Sequence, residues 1–294
     1  MNALLLTLVV FGITTQHVTK KIYNQKNSGG AYTFSAISAL VALLFFLIVS
    51  GGKLQFSAAI IPHAIGFAVT YSLSIVFTFL AIKEGPLSIT SLITSYSLLI
   101  PSIYGLIAWG EEFTYLLLVG IVLLVISIFL VQFDPKKVAM DAKTHPIEKK
   151  PLTLKWALYV SLAFIGGGGC SAFQKDQQLK FDGAYKNEFM IVALFITFIA
   201  ISICALVFEK REVITYIRRG ALLSSIGGAA NGAVNLIVMM LSLRMAASVM
   251  FPIISAGGIV MASILSMTVY KEKLSAFQKV GLILGVSAIV VLNV

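Results

Sequence analysis

Shifted by 161 residues, the chain falls onto itself: Lys83 onto Arg244, Trp109 onto Tyr270, Glu111 onto Glu272, Gly120 onto Gly281, Val125 onto Val286 and Ile128 onto Ile289. Between these markers the stretches 63–133 and 224–294 keep one hydrophobic outline without a gap. A duplication of this length confines the fold to two similar halves. Each copied stretch is also apolar enough to cross a bilayer. Duplicated membrane halves, with the substrate site where they meet, are the usual build of secondary transporters.

Of the 294 residues, 59% are hydrophobic and only 12% charged, with a mean hydropathy of +0.97. A soluble domain would carry about a quarter charged residues. Apolar runs of roughly 18–25 residues, each able to cross about 30 Å of hydrocarbon as a helix, predict ten spans. They lie near 2–19, 31–49, 59–82, 86–109, 113–133, 152–173, 184–208, 219–243, 246–270 and 274–294. Pro62 and Pro86 stand at helix starts, where a missing N–H costs least. The expected fold is therefore all-α integral membrane, ten transmembrane helices as two inverted five-helix repeats. The N-terminal repeat covers 1–133, a polar linker 134–151, and the C-terminal repeat 152–294. Five helices per half, an odd number, send the second half in from the opposite side. The earlier parts of the halves align at an offset of 155, Thr19-Lys20 on Gln174-Lys175.

The first segment lacks a basic leader and a small-residue cleavage site, and reads as a mature helix. Cys170 and Cys204 lie inside apolar runs without metal or redox spacing and read as packing residues. No metal, cofactor or catalytic residue is predicted. The +10 net charge comes from basic residues at helix ends, the positive-inside pattern, and does not indicate a nucleic-acid partner. Counted by loop, 17 Lys and Arg fall on one side and 5 on the other. That bias makes the 134–151 linker cytoplasmic and places both termini outside. The expected location is the plasma membrane, a bacterial inner membrane, in multi-pass form, as monomer or homodimer among membrane lipids.

Gly110-Glu111-Glu112-Phe113 followed by Gly120, and Lys271-Glu272-Lys273-Leu274 followed by Gln278, Gly281 and Gly285, form matched helix-turn-helix motifs near the end of each half. With the ten spans and the duplication, the chain resembles the drug/metabolite transporter superfamily, in its EamA-like branch. The resemblance covers the whole chain in layout and about 40 residues per half in motif. It implies a basket of ten helices around a central cavity, lined by the first, third and fourth helices of each half. It also implies small-metabolite substrates such as amino acids, nucleosides, amines or drugs. Family members are described with both termini cytoplasmic, opposite to the charge count.

Polar side chains within the bilayer must face protein or water. Thr70 and Ser74 share a helix face, and at the 161 offset they become Asn231 and Asn235. These four either line a cavity or bond helices together beside Gly227, Gly228 and Gly232. Thr90, Thr94, Ser97, Pro101 and Tyr104 form a stripe on the next span, whose mate carries Pro252, Ser255 and Ser263. Tyr71 and Tyr96 each offer an apolar body with one polar tip. Thr14, His17 and Lys21 share a face of the first span, with Gln16 beside it, and His17 titrates near neutral pH. The expected substrate-binding residues are thus His17, Thr70, Tyr71, Ser74, Thr94, Tyr96, Asn231, Asn235 and Ser255. Gly166 to Gly169 suggest either close approach to the glycine-rich eighth span or an unwound segment at the site.

Glu84, Glu111, Glu112, Glu188, Glu209 and Glu272 all stand at or near span ends, so the cavity reads as neutral and a carboxylate proton carrier is not expected. The expected function is a secondary transporter or exporter of a small polar or amphipathic metabolite, not an enzyme. The alternatives are a flippase of a lipid-linked intermediate or a membrane-embedded enzyme, the latter lacking any cluster of Asp, His or Arg.

Overall fold

The computed structural model describes residues 1–27, 29–84, 87–132, 153–268 and 275–292, so the 134–151 linker, Tyr270 and Glu272 lie outside the described residues. The described residues form α1 (Asn2–Lys26), α2 (Ala31–Val49), α3 (Ile61–Glu84), α4 (Leu87–Ser95), α5 (Leu99–Ala108), α6 (Tyr115–Gln132), α7 (Leu154–Lys180), α8 (Lys186–Phe208), α9 (Val213–Ser242), α10 (Ala247–Thr268) and α11 (Ala276–Leu292), with no strand among them. Among the described residues, eight helical segments can cross a membrane by length and composition, α4 and α5 forming one of them. Two shorter apolar helices, Tyr115–Val131 and Ala276–Leu292, accompany them. Large apolar side chains stand exposed on their outer faces, Ile48, Ile107 and Leu222 among them. That is the pattern of helices solvated by lipid.

Two compact units emerge, each built from two separate stretches of the chain. The first comprises Met1–Val76 and Gly169–Met245. Its axis is α9, which packs along α1 and α2, while α2 packs in turn on α8. Phe46, Ile60, Phe67, Phe189, Met190, Leu194 and Met239 form its core. At Gly228 a Cβ would lie 2.6 Å from the Ser38 carbonyl oxygen, so only glycine lets α2 come this close.

Within this unit, α1 and α7 end at opposite ends of α9. Tyr23, near the end of α1, packs on Gly220 near the start of α9. Lys175, near the end of α7, donates to the Met245 carbonyl just past the end of α9, at 2.8 Å. Gly220 and Met245 lie roughly 40 Å apart along the helix. Lys175 is 2% exposed and supplies a cation to the carbonyl end of a helix, where the macrodipole favours positive charge. The N-terminus of α2 is matched the other way. The Glu209 carboxylate accepts from the Tyr32 and Thr33 amides at 2.7 and 2.9 Å and from the Thr33 hydroxyl.

The second unit comprises Phe77–Gly168 and Ala246–Val294. Here α6 packs along α11, and α10 on α5, α6 and α11, around Leu92, Leu124, Ile128, Ala256 and Ala288. Pro101 has no N–H to offer the Ser97 carbonyl one turn back. The span accordingly tightens to a 3₁₀ turn at Tyr96–Leu98 between α4 and α5. Gly168 of α7 packs against that carbonyl, where a Cβ would sit 2.5 Å from the oxygen. The glycine run therefore serves close approach, and α7 stays helical throughout it. This corrects the expectation of an unwound segment. Two glycines of the run have neighbours other than the eighth span: Ile100 and Ser97 meet Gly168, and Thr70 meets Gly169.

Glu111, the described half of the matched motif, is a helix cap. Its carboxylate accepts from the Ala247 and Ser248 amides at 2.5 and 2.8 Å, at the first turn of α10. Gly105 leaves the space that this carboxylate fills.

Candidate functional site

The first unit contains a small recess of about 20 Å³. Four helices line it with residues one turn apart: Gln16 and Lys20 of α1, Phe34 and Ser38 of α2, Tyr71 and Ile75 of α3, and Gly227 and Asn231 of α9, with Ser35 beside them. Each pair is an i, i+4 stripe, which is how a helix presents one face to a cavity.

Asn231 is the hub. Its Nδ2 donates to Gln16 Oε1 at 3.1 Å and to the Tyr71 hydroxyl oxygen at 3.2 Å. One turn on, Asn235 Nδ2 donates back to Asn231 Oδ1 at 3.0 Å and to the Asn231 carbonyl at 2.9 Å. Gln174 Nε2 of α7 in turn donates to Asn235 Oδ1 at 3.2 Å and its carbonyl at 3.1 Å. Three amides are thus strung from α7 through α9 to the recess, where α1 and α3 receive the last donor. Buried amides of this kind must be paired, because each unpaired polar group in hydrocarbon costs several kcal/mol.

The expected site residues separate under this geometry. Tyr71 and Asn231 line the recess and Asn235 supports them from behind. His17 does not. It is exposed on α1, turned about 100° of helix from Gln16, and Gln16 and Lys20 occupy the positions expected of it. Thr70 does not line the recess either: its hydroxyl donates to the Gly66 and Phe67 carbonyls of its own helix while its methyl packs on Gly169. Ser74 is half-buried and does not line the recess. Thr94, Tyr96 and Ser255 belong to the second unit. Thr94 donates to the Thr90 and Ser91 carbonyls within α4, and the Tyr96 hydroxyl donates to the Val125 carbonyl of α6 at 2.8 Å. Both hydroxyls thereby satisfy helix carbonyls.

Two polar features escaped the sequence reading. Lys20 lines the recess, so the recess is not neutral. Asp176, one turn from the end of α7, meets His63 of α3, with Nε2 and Oδ2 3.0 Å apart. A carboxylate can only accept, so Nε2 carries the proton, and His63 Nδ1 is left buried without a partner. The signal for the first was the i, i+4 spacing of Gln16 and Lys20. Nothing local marked the second, whose partners lie 113 residues apart.

No family model matches the sequence, and no curated protein does. Solved structures do match in fold. One crystal structure of a protein aligns over 99% of this chain and 95% of its own, with a TM-score of 0.77 at 11% identity. At that identity the likeness describes the shared fold alone.

Proposed function

We propose that this chain is a secondary transporter of the plasma membrane that moves a small polar or amphipathic metabolite, with the recess as its substrate site. The carrying observation is the recess itself, where apolar helices bring Gln16, Lys20, Tyr71 and Asn231 to one opening. Polar groups placed at such cost inside membrane helices mark substrate or ion paths.

In this reading the chain has ten spans in two inverted five-helix repeats and belongs with the EamA-like drug/metabolite transporters. The opposite ends reached by α1 and α7 along α9 support the inversion.

The test is uptake into liposomes containing the purified chain. A panel of labelled amino acids, nucleosides, organic acids and amines is compared with protein-free vesicles. Accumulation or counterflow of at least one solute is expected. No movement of any solute, together with scrambling of a labelled lipid, would replace this reading by a lipid flippase.

A further inference from the structure

Hydrogen bonds in the amide string all run in one direction. Gln174 donates to Asn235, Asn235 to Asn231, and Asn231 to both Gln16 Oε1 and the Tyr71 oxygen. Each acceptor at the end of that string already takes one hydrogen bond. The Gln16 amide N–H and the Tyr71 O–H remain as donors for a ligand. Aligned hydrogen bonds polarise one another, so the terminal donors are strengthened. Ser35 and Ser38 donate to the Ala31 and Ser224 carbonyls and so offer the recess acceptor oxygens only, which leaves Lys20, Gln16 and Tyr71 to receive an anion.

Charge points the same way. Lys20 lines the recess, no Asp or Glu does, and among the described residues Lys20 has no ion pair or hydrogen bond. An ammonium beside two outward donors is the complement of an anion. Phe34 and Ile75 give the same recess an apolar wall.

We propose that this recess binds the anionic group, carboxylate or phosphate, of a small metabolite. Lys20 supplies the countercharge, Gln16 and Tyr71 supply the oriented donors, and the apolar part of the ligand lies against Phe34 and Ile75. The proposal rests on the transporter reading and narrows its substrates to organic anions, excluding amines.

The test uses the full chain purified in a neutral detergent and three probes on one skeleton: phenylacetate, phenylacetamide and phenethylamine. Inorganic phosphate is a fourth. Melting temperature and titration calorimetry should register phenylacetate or phosphate and neither the amide nor the amine. Lys20→Gln should weaken that binding about tenfold to hundredfold, while Lys20→Arg keeps it. Tyr71→Phe removes one donor without touching the charge, and should weaken binding by roughly threefold to tenfold should the Lys20 variant fail to fold. Equal binding of the amide, or unchanged binding in Lys20→Gln, would overturn the proposal; the lysine would then only be reaching for the interface. A separate arm compares phosphatidylglycerol with phosphatidylcholine in mixed micelles. Stabilisation by the anionic lipid but by no soluble anion would also overturn it. Liposome uptake of amines or neutral solutes and no anions would sink this assignment and leave the transporter standing. Binding of phenylacetate through Lys20 without transport of any solute would do the reverse.

Discussion

Gly120 of α6 packs on Leu292 of α11 so closely that a Cβ on the glycine would lie 2.5 Å from the leucine Cγ. The relation is returned: a Cβ on Gly281 would lie 2.8 Å from Val131 Cγ2. Gly120 and Gly281, like Val131 and Leu292, are pairs at the 161 offset. Residue i thus meets the mate of j while j meets the mate of i, the reciprocity of a two-fold contact. Ser127 adds a 2.6 Å hydrogen bond to the Gly281 carbonyl.

Gly281→Ala should therefore destabilise the chain by about 1–3 kcal/mol, because Val131 and the adjacent backbone must give way. Gly120→Ala should do the same through Leu292. Val122→Ala, on an exposed face of α6, is the control. Thermal melts in detergent decide it, and equal melting temperatures for all three variants would refute the contact.

Asn231→Ala should lower both stability and uptake. It leaves Gln16 Oε1, Tyr71 and Asn235 without the hub they share, at a cost of about 1–3 kcal/mol, or roughly 5- to 150-fold in affinity. An asparagine that only joins helices would cost about 0.6 kcal/mol of stability. Unchanged uptake with a lower melting point would assign Asn231 to packing.

Thr70→Val should be nearly silent in uptake. The hydroxyl serves its own helix and the methyl that meets Gly169 is kept. A stability change below about 1 kcal/mol is expected. Lost transport in a well-folded variant would return Thr70 to the site.

These two residues also mark what could be read in advance. Apolar runs define spans, because lipid imposes length and composition. Asn231 and Asn235 stood out because an amide has few places to go in hydrocarbon. Threonine gives no such signal, since its hydroxyl can turn back to its own helix, and Thr14, Thr70 and Thr94 all do so. On α1 the ionisable His17 stands out by residue type, while helix phase puts Gln16 and Lys20 at the recess. Gln174 and the His63–Asp176 pair depend on which helices meet, and no local pattern carries that.

Glu111→Ala should destabilise by about 1–2 kcal/mol, because it uncaps the first turn of α10 at Ala247 and Ser248. Glu112→Ala, an exposed neighbour, should change little. Hydrogen exchange at Ala247 and Ser248 should quicken only in the first variant. Protection retained there would remove the capping role.

Cysteines placed at Gly29 and at Asp182 should be labelled from opposite sides of the membrane, as the opposed ends of α1 and α7 require. A reporter at Thr144 should face the cytoplasm, following the linker's lysines. Labelling of both cysteines from one side would end the inverted arrangement.

Because the first unit joins Met1–Val76 to Gly169–Met245, the ribosome makes its two parts far apart in time. Gln16 and Asn231 are 215 residues apart in sequence, so at about 5–20 residues per second Gln16 waits roughly 10–40 s for its donor. During that interval Gln16 and Tyr71 lack the α9 amide that they share, with lipid, water or the insertion machinery in its place. A chain stopped after α6 would hold half a relay. It would meet the cell as an orphaned membrane fragment for quality control to remove, and the second half is what ends that vulnerability.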